Sequence, residues 1–192
     1  MREEAKRKVV SSTILLLVIL ISTGCVGQEE EGPKTETTSP GVETRDMDEL
    51  QITSPAFEVN GEIPSKYTCD GADINPPLHI EGIPEETQSL VLIMDDPDAP
   101  GGTWDHWIVW NIPPVDTIEE DSVPGIEGLN DFRRQAYGGP CPPSGTHRYF
   151  FQVYALDTTL DLPPTATKAD VKQAMEGHIL AQGELIGRYS RS

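Results

Sequence analysis

Three short apolar runs, each cut off by a proline-rich or acidic turn, limit what this chain can fold into. Residues 89–94 (SLVLIM) lead into Asp95-Asp96-Pro97, and residues 106–112 (HWIVWNI) stop at Pro113-Pro114. Residues 148–156 (RYFFQVYAL) form the longest β-rich run. Runs of this length, rich in aromatic and β-branched side chains and bounded by breakers, read as strands rather than helices. Weaker strand signals lie at residues 50–52, 57–59, 78–80 and 185–189. The 17 prolines and 17 glycines cluster between the runs, where they supply turns. One helix is signalled: Thr167 precedes Lys168-Ala169-Asp170 in a capping pattern, Val171, Met175 and Ile179 recur at four-residue spacing, and Gly183 is a plausible stop. The expected fold is mainly β, a β-sandwich with a C-terminal helix.

The start of the chain reads as address rather than fold. Arg2, Lys6, Arg7 and Lys8 precede an apolar stretch at residues 13–21 (TILLLVILI), followed by Ser22-Thr23-Gly24-Cys25. The apolar stretch is about half the ~20 residues that a spanning helix needs. A basic start, a short apolar run and small residues describe a secretory signal. Cys25 stands where a lipobox would place the lipidated thiol, so residues 1–24 are expected as a lipoprotein-type signal and Cys25 as a lipid anchor. The alternative is an uncleaved N-terminal anchor helix; either way the domain stands at the external face of the membrane. Residues 25–48, rich in Glu, Thr and Pro, are expected as a disordered tether, and residues 49–192 as one domain.

The formal net charge is −18. The leader carries four of the basic residues and only two acidic ones, leaving about −20 on the rest. Such a charge disfavours nucleic acid and anionic lipid surfaces as general partners. If lipid takes Cys25, two thiols remain, Cys69 and Cys141; in an oxidising compartment they are a candidate disulfide, with two separate buried thiols as the alternative.

Two loops carry chemistry. The first is Asp95-Asp96-Pro97-Asp98-Ala99-Pro100, followed by Trp104-Asp105-His106-Trp107; the second is Tyr137-Gly138-Gly139-Pro140-Cys141-Pro142-Pro143, leading to Gly145-Thr146-His147-Arg148-Tyr149. Prolines stiffen both loops and glycines admit close backbone approach. A histidine opens the strand after each. Singly, each piece has an ordinary structural reading as a turn, a satisfied histidine or packing tryptophans. Together, DPDAP, then W-x-H, then GPCPPSGTHRY resemble the signature of the phosphatidylethanolamine-binding protein family. KYTCDGADINPPL at residues 66–78 is similar to its bacterial and archaeal, Raf-kinase-inhibitor-like branch. The resemblance runs from about residue 50 to the C-terminus.

That resemblance implies a two-sheet antiparallel β-sandwich, no catalysis, no cofactor or metal, and a small pocket for phosphate-like anions. By position Asp96, Trp104, His106, Pro143, His147 and Tyr149 match the pocket, with Gly139 and Pro142 at its mouth and Ala99-Pro100 as a cis-proline candidate. Asp105 departs from the adjacent histidine pair of eukaryotic members and adds a negative charge near the mouth. Phosphate needs donors, which His106, His147, Tyr149 and the amides of the 138–143 loop can supply. Asp96 is expected to orient His106, favour its charged form and meet a ligand ammonium. Binding should then weaken as pH rises through about 6.5.

The partners expected are a phosphate-bearing small molecule or phospholipid headgroup, the membrane through the anchor, and a protein such as a serine protease that the domain would inhibit. The alternatives are a metal-dependent phosphoesterase using Asp96, Asp98, His106 and His147, and a solute-binding lipoprotein. The first lacks a two-histidine metal motif or nucleophile elbow, and the second lacks paired lobes.

Overall fold

The computed structural model describes residues 48–191, so the leader, Cys25 and most of the tether lie outside the described residues. Nine strands, one α-helix and a short 3-10 turn at Ser65–Tyr67 follow one another: β1 (Asp48–Glu49), β2 (Gln51–Thr53), β3 (Leu78–Glu81), β4 (Ser89–Asp96), β5 (Trp104–Ile112), β6 (Thr117–Ile118), β7 (Ile126–Glu127), β8 (Thr146–Leu156), α1 (Lys168–Met175) and β9 (Ile179–Ser190). A six-stranded sheet runs in the order β1-β9-β8-β4-β5-β7 and a three-stranded sheet in the order β2-β3-β6. All pairings are antiparallel except β1 with β9. Among the described residues no helix is long and apolar enough to cross a membrane.

Every residue of β4 is buried, which explains its unbroken apolar run. The strand lies between β8 and β5 and is covered on both faces. Leu90, Leu92 and Met94 point inward to a core shared with Ile52, Leu78 and Ile80 of the small sheet. Val91 and Ile93 point the other way, to Ile108, Trp110, Leu160, Val171 and Met175. Each such fully buried side chain contributes about 1.5–3 kcal/mol relative to exposure. The molecule is therefore three layers deep: small sheet, large sheet, helix.

Several elements differ from expectation. Helix α1 begins where the capping pattern placed it, with Thr167 and Asp170 bonded reciprocally, but it ends at Met175. Gly177, at φ 81°, turns the chain, and His178 donates its amide to the Met175 carbonyl. Ile179 thus opens β9, and the expected final strand at residues 185–189 begins earlier, directly after the helix turn. Gly183 is not a helix stop but the middle of β9. Residues 57–59 form a turn, not a strand: Asn60 takes φ 59° and Gly61 N–H bonds to the Glu58 carbonyl at 2.7 Å. Strands β6 and β7, two residues each, are too short to leave a period in the sequence.

Gly183 is required by close approach. A Cβ there would stand 2.1 Å from the Leu50 carbonyl oxygen, beside the Leu50 amide that bonds to Gln182. Gly183→Ala is expected to cost about 1–3 kcal/mol in denaturant unfolding. Gly101→Ala, where a Cβ would meet nothing within 4 Å, should change stability by less than about 0.5 kcal/mol.

Candidate anion-binding site

Alternation along the strands determines what reaches the end of the inner layer. On β4, Met94 and Asp96 face inward and Asp95 faces out; on β8, His147, Tyr149 and Phe151 face inward. Strand β5 interrupts its alternation. Met94 pairs with Trp107, yet Asp95 pairs with Asp105, so His106 is an extra residue in a bulge. The bulge places His106 and Trp107 on the inner side together and turns Asp105 outward. Asp96, His106, His147 and Tyr149 consequently meet at one end of the sandwich, almost out of contact with solvent.

The histidines are held in defined states. His106 Nδ1 lies 2.6 Å from the Gly138 carbonyl oxygen. A carbonyl only accepts, so Nδ1 carries the proton and Nε2 is left free for a ligand. Burial pushes the His106 pKa below its ordinary value, outweighing the carbonyl and the Asp96 and Asp95 carboxylates, which act to raise it. His147 Nδ1 donates to Asp96 Oδ2 at 2.7 Å. Asp96 Oδ1 accepts from the Asp98 amide at 2.8 Å. Asp96 therefore orients His147 instead of His106, with one hydrogen bond at each of its oxygens.

Tyr149 is fully buried, and its hydroxyl has no hydrogen-bond partner. Burial, with the Asp96 carboxylate beside it, raises its pKa far above the ordinary phenol value, while the Cys141 backbone acts the other way. The Tyr149 ring stands edge-on to His106 at 5.2 Å. Phe132 is edge-on to His106 at 5.2 Å and to Trp104 at 5.4 Å, giving the site an aromatic wall that reaches the surface at Trp104. Arg134 stacks over Phe132.

The loop of residues 137–143 is fastened from several sides. Tyr137 donates its hydroxyl to the Tyr67 carbonyl at 2.8 Å, and Gly139 donates its amide to Asp73 Oδ1 at 2.7 Å. Cys69 and Cys141 form a disulfide with a Cα–Cα distance of 5.4 Å. Buried Asn130 donates to the carbonyls of His106 and Ala136. A Cβ on Gly138 would come 2.6 Å from the Phe132 ring, and one on Gly139 2.5 Å from the Tyr67 carbonyl. The broad nest of loop amides expected from the sequence is reduced: Asp73 occupies the Gly139 N–H and three prolines have none, leaving Gly138 and Cys141.

Other expected residues fall elsewhere. Pro142 is buried, while Pro143 is exposed and lines a neighbouring polar cleft with Ser65, Asp70, Ser144, Tyr189 and Arg191. Asp98 turns outward to a two-pronged pair with Arg148, at 2.7 and 2.8 Å, which lowers its pKa to about 2. Asp105 adds no charge to the mouth, because it faces the opposite side of the sheet and pairs with Lys168. Phe132 and Asn130 were not legible, since isolated loop residues carry no period; Asp73 stood within the 66–78 motif, which did not reveal its bond to Gly139. The disulfide closes a sequence separation of 72 residues, and replacing both cysteines with alanine is expected to cost about 2–4 kcal/mol in denaturant unfolding.

Comparison with known proteins agrees with this arrangement of strands. The family model described as phosphatidylethanolamine-binding protein matches residues 53–190. A UPF0098 protein of Methanothermobacter thermautotrophicus is 53% identical over 150 residues, spanning 74% of this chain and 99% of the relative. A UPF0098 protein of Pyrococcus horikoshii is 46% identical over 190 residues, spanning 93% of this chain and 87% of the relative. Among solved structures, a phosphatidylethanolamine-binding protein homologue from Chlamydia trachomatis is similar with a TM-score of 0.73 at 43% identity, over 76% of this chain and 99% of that one. Escherichia coli YbcL, described as a new member of the mammalian family, has a TM-score of 0.70 at 31% identity, over 75% of this chain and 99% of its own. The chain belongs to the phosphatidylethanolamine-binding protein family.

Proposed function

We propose that the chain is a non-catalytic binding protein that holds a small phosphate-bearing anion, free or as a phospholipid headgroup, between His106 and His147. The observation that carries this reading is the Tyr149 hydroxyl, a buried donor without a partner at the junction of the two histidines. An unsatisfied buried hydroxyl costs about 1–3 kcal/mol, a cost that a ligand oxygen would relieve. Beside it, neither histidine Nε2 has a partner among the described residues. Recognition falls on the phosphate group, which free phosphate and phosphoethanolamine share, while Asp96 already accepts from His147 and from the Asp98 amide. The metal-dependent phosphoesterase reading is disfavoured by the same geometry: Asp96 is spent on His147 and Asp98 on Arg148.

Proton linkage follows from the tautomers. With Nδ1–H fixed by the Gly138 carbonyl on one ring and by Asp96 on the other, each neutral Nε2 offers a lone pair, which repels a phosphate oxyanion. Binding therefore draws a proton onto the site. Burial lowers the His106 pKa in the free protein, and a bound anion favours the charged ring, so the bound state has the higher affinity for protons and binding strengthens as pH falls. Calorimetry on the full chain should show phosphate binding about tenfold or more tighter at pH 5.5 than at pH 8, and loss of binding in His106→Ala and in His147→Ala. Equal affinity at both pH values would refute the charged-histidine account. Tyr149→Phe should weaken phosphate binding while leaving the free protein as stable or more stable, the opposite of what a purely structural tyrosine would do.

We also propose attachment at the external face of the membrane through lipid on Cys25, supported by the sequence of the leader. The described chain begins at Asp48 opposite Ala181, and the site lies where His147 pairs with Tyr189. Eight residues of strand, about 26 Å, separate them, so the candidate site lies at the end of the sheet remote from Asp48, where the described residues begin. Mass spectrometry of the chain from membranes should find the lipid on Cys25, and Cys25→Ala should release the protein; an unmodified Cys25 would refute attachment by lipid.

A further inference from the structure

On the face of the large sheet away from the pocket, Asp95 and Asp105 are direct partners at the point where β4 and β5 change register. Their side chains are 9% and 17% exposed. Like charges directly opposite on neighbouring strands repel, and burial strengthens the repulsion. Lys168, the first residue of α1, answers both: its Nζ lies 3.1 Å from Asp95 Oδ2 and contacts Asp105 Oδ1. Gln152 adds a hydrogen bond to Asp95 at 3.3 Å, and the Asp105 amide is held by Asp131 at 2.7 Å. The helix start is tied to the same region, since Leu129 N–H bonds to the Ala166 carbonyl at 2.9 Å. Burial would lower the Lys168 pKa, but its two carboxylates outweigh it and raise it; at Asp105 burial prevails and raises that pKa too.

The immediate neighbours of this buried triad belong to the candidate site. Asp96 follows Asp95 on β4, and Trp104 and His106 flank Asp105 on β5. We infer that Lys168 is a positioning residue for the pocket: by neutralising the opposed Asp95 and Asp105 behind the bulge, it holds the register that turns His106 inward. Lys168 touches no pocket residue and acts only through the two aspartates. The consequence for ligand binding rests on the reading under Proposed function; the consequence for His106 does not.

The test compares full-length Lys168→Met with the triple variant Lys168→Met/Asp95→Asn/Asp105→Asn. Lys172→Met, which removes a charge from the same cleft without touching the aspartates, serves as control. Folding is followed by near-UV circular dichroism and the His106 ring by NMR, where only four histidines need assignment. Lys168→Met should shift the His106 ring resonances and weaken phosphate binding about fivefold or more. The triple variant should return both towards wild type, and Lys172→Met should change neither. Wild-type His106 resonances in a folded Lys168→Met chain would overturn the inference. Should Lys168→Met fail to fold, the triple variant decides: wild-type His106 resonances support charge compensation, while a displaced ring or an unfolded chain refutes it. If the wild-type protein binds no phosphate, the pocket reading fails, yet the His106 comparison still settles the role of Lys168.

Discussion

Side chains on a strand alternate between faces, and the cluster of Asp96, His106, His147 and Tyr149 depends on breaking that rule once. Strands β4 and β8 keep strict alternation, so Asp96 continues the inward line of Leu92 and Met94, while His147 and Tyr149 continue that of Phe151 and Val153. Had β5 done the same, Trp107 inward would have sent His106 outward to the helix side. The extra residue at His106 keeps both inside and directs Asp105 to the rear. The core ends in Met94, Trp107 and Phe151, and the site begins one step further along the same strands. Binding geometry is thus inherited from core packing instead of being built on a mobile loop.

Loops complete the site by being fastened to it. The 137–143 segment contributes one carbonyl to His106 and one buried glycine surface to Phe132, and four bonds hold it to the 65–73 segment: a disulfide and the hydrogen bonds made by the Tyr137 hydroxyl, the Gly139 amide and the Cys69 amide. Prolines restrict the rest. A loop of this composition loses little entropy on binding because most of it was surrendered on folding.

In a chain of net charge −18, basic side chains near the site serve mainly as struts. Arg148 holds Asp98, Arg191 holds Asp70, Lys66 holds Glu120, and Lys168 holds Asp95 and Asp105. None of these cations is directed at the histidines. An anion in the pocket would accordingly be met by imidazole, phenol and amide donors, which makes its binding sensitive to protonation in a way that an arginine-lined site would not be. The exposed pairs contribute little each; the half-buried Lys168 pair is the exception, because removing the cation leaves two aspartates facing one another without compensation.

Much of the fold was legible because burial writes a pattern along the chain. The run at residues 89–94 is apolar throughout because β4 is covered on both faces, and residues 106–112 and 148–156 carry the β-branched and aromatic composition of strands beside it. The capping pair Thr167 and Asp170 located the start of α1 to the residue, since capping is a local interaction between residues three apart. Its end was misplaced: four-residue spacing from Met175 to Ile179 continued by accident across a turn at Gly177, and periodicity does not register which of two glycines takes a left-handed conformation. Two-residue strands and isolated loop residues such as Phe132 and Asn130 left no signal at all. The sequence by itself determined the strands, the helix start, the glycine and proline loops and the residue types that meet at the candidate site. Only the tertiary structure decided which carboxylate serves which histidine, because partners some 50 residues apart are chosen by strand register, and one bulged residue turns His106 to one face and Asp105 to the other.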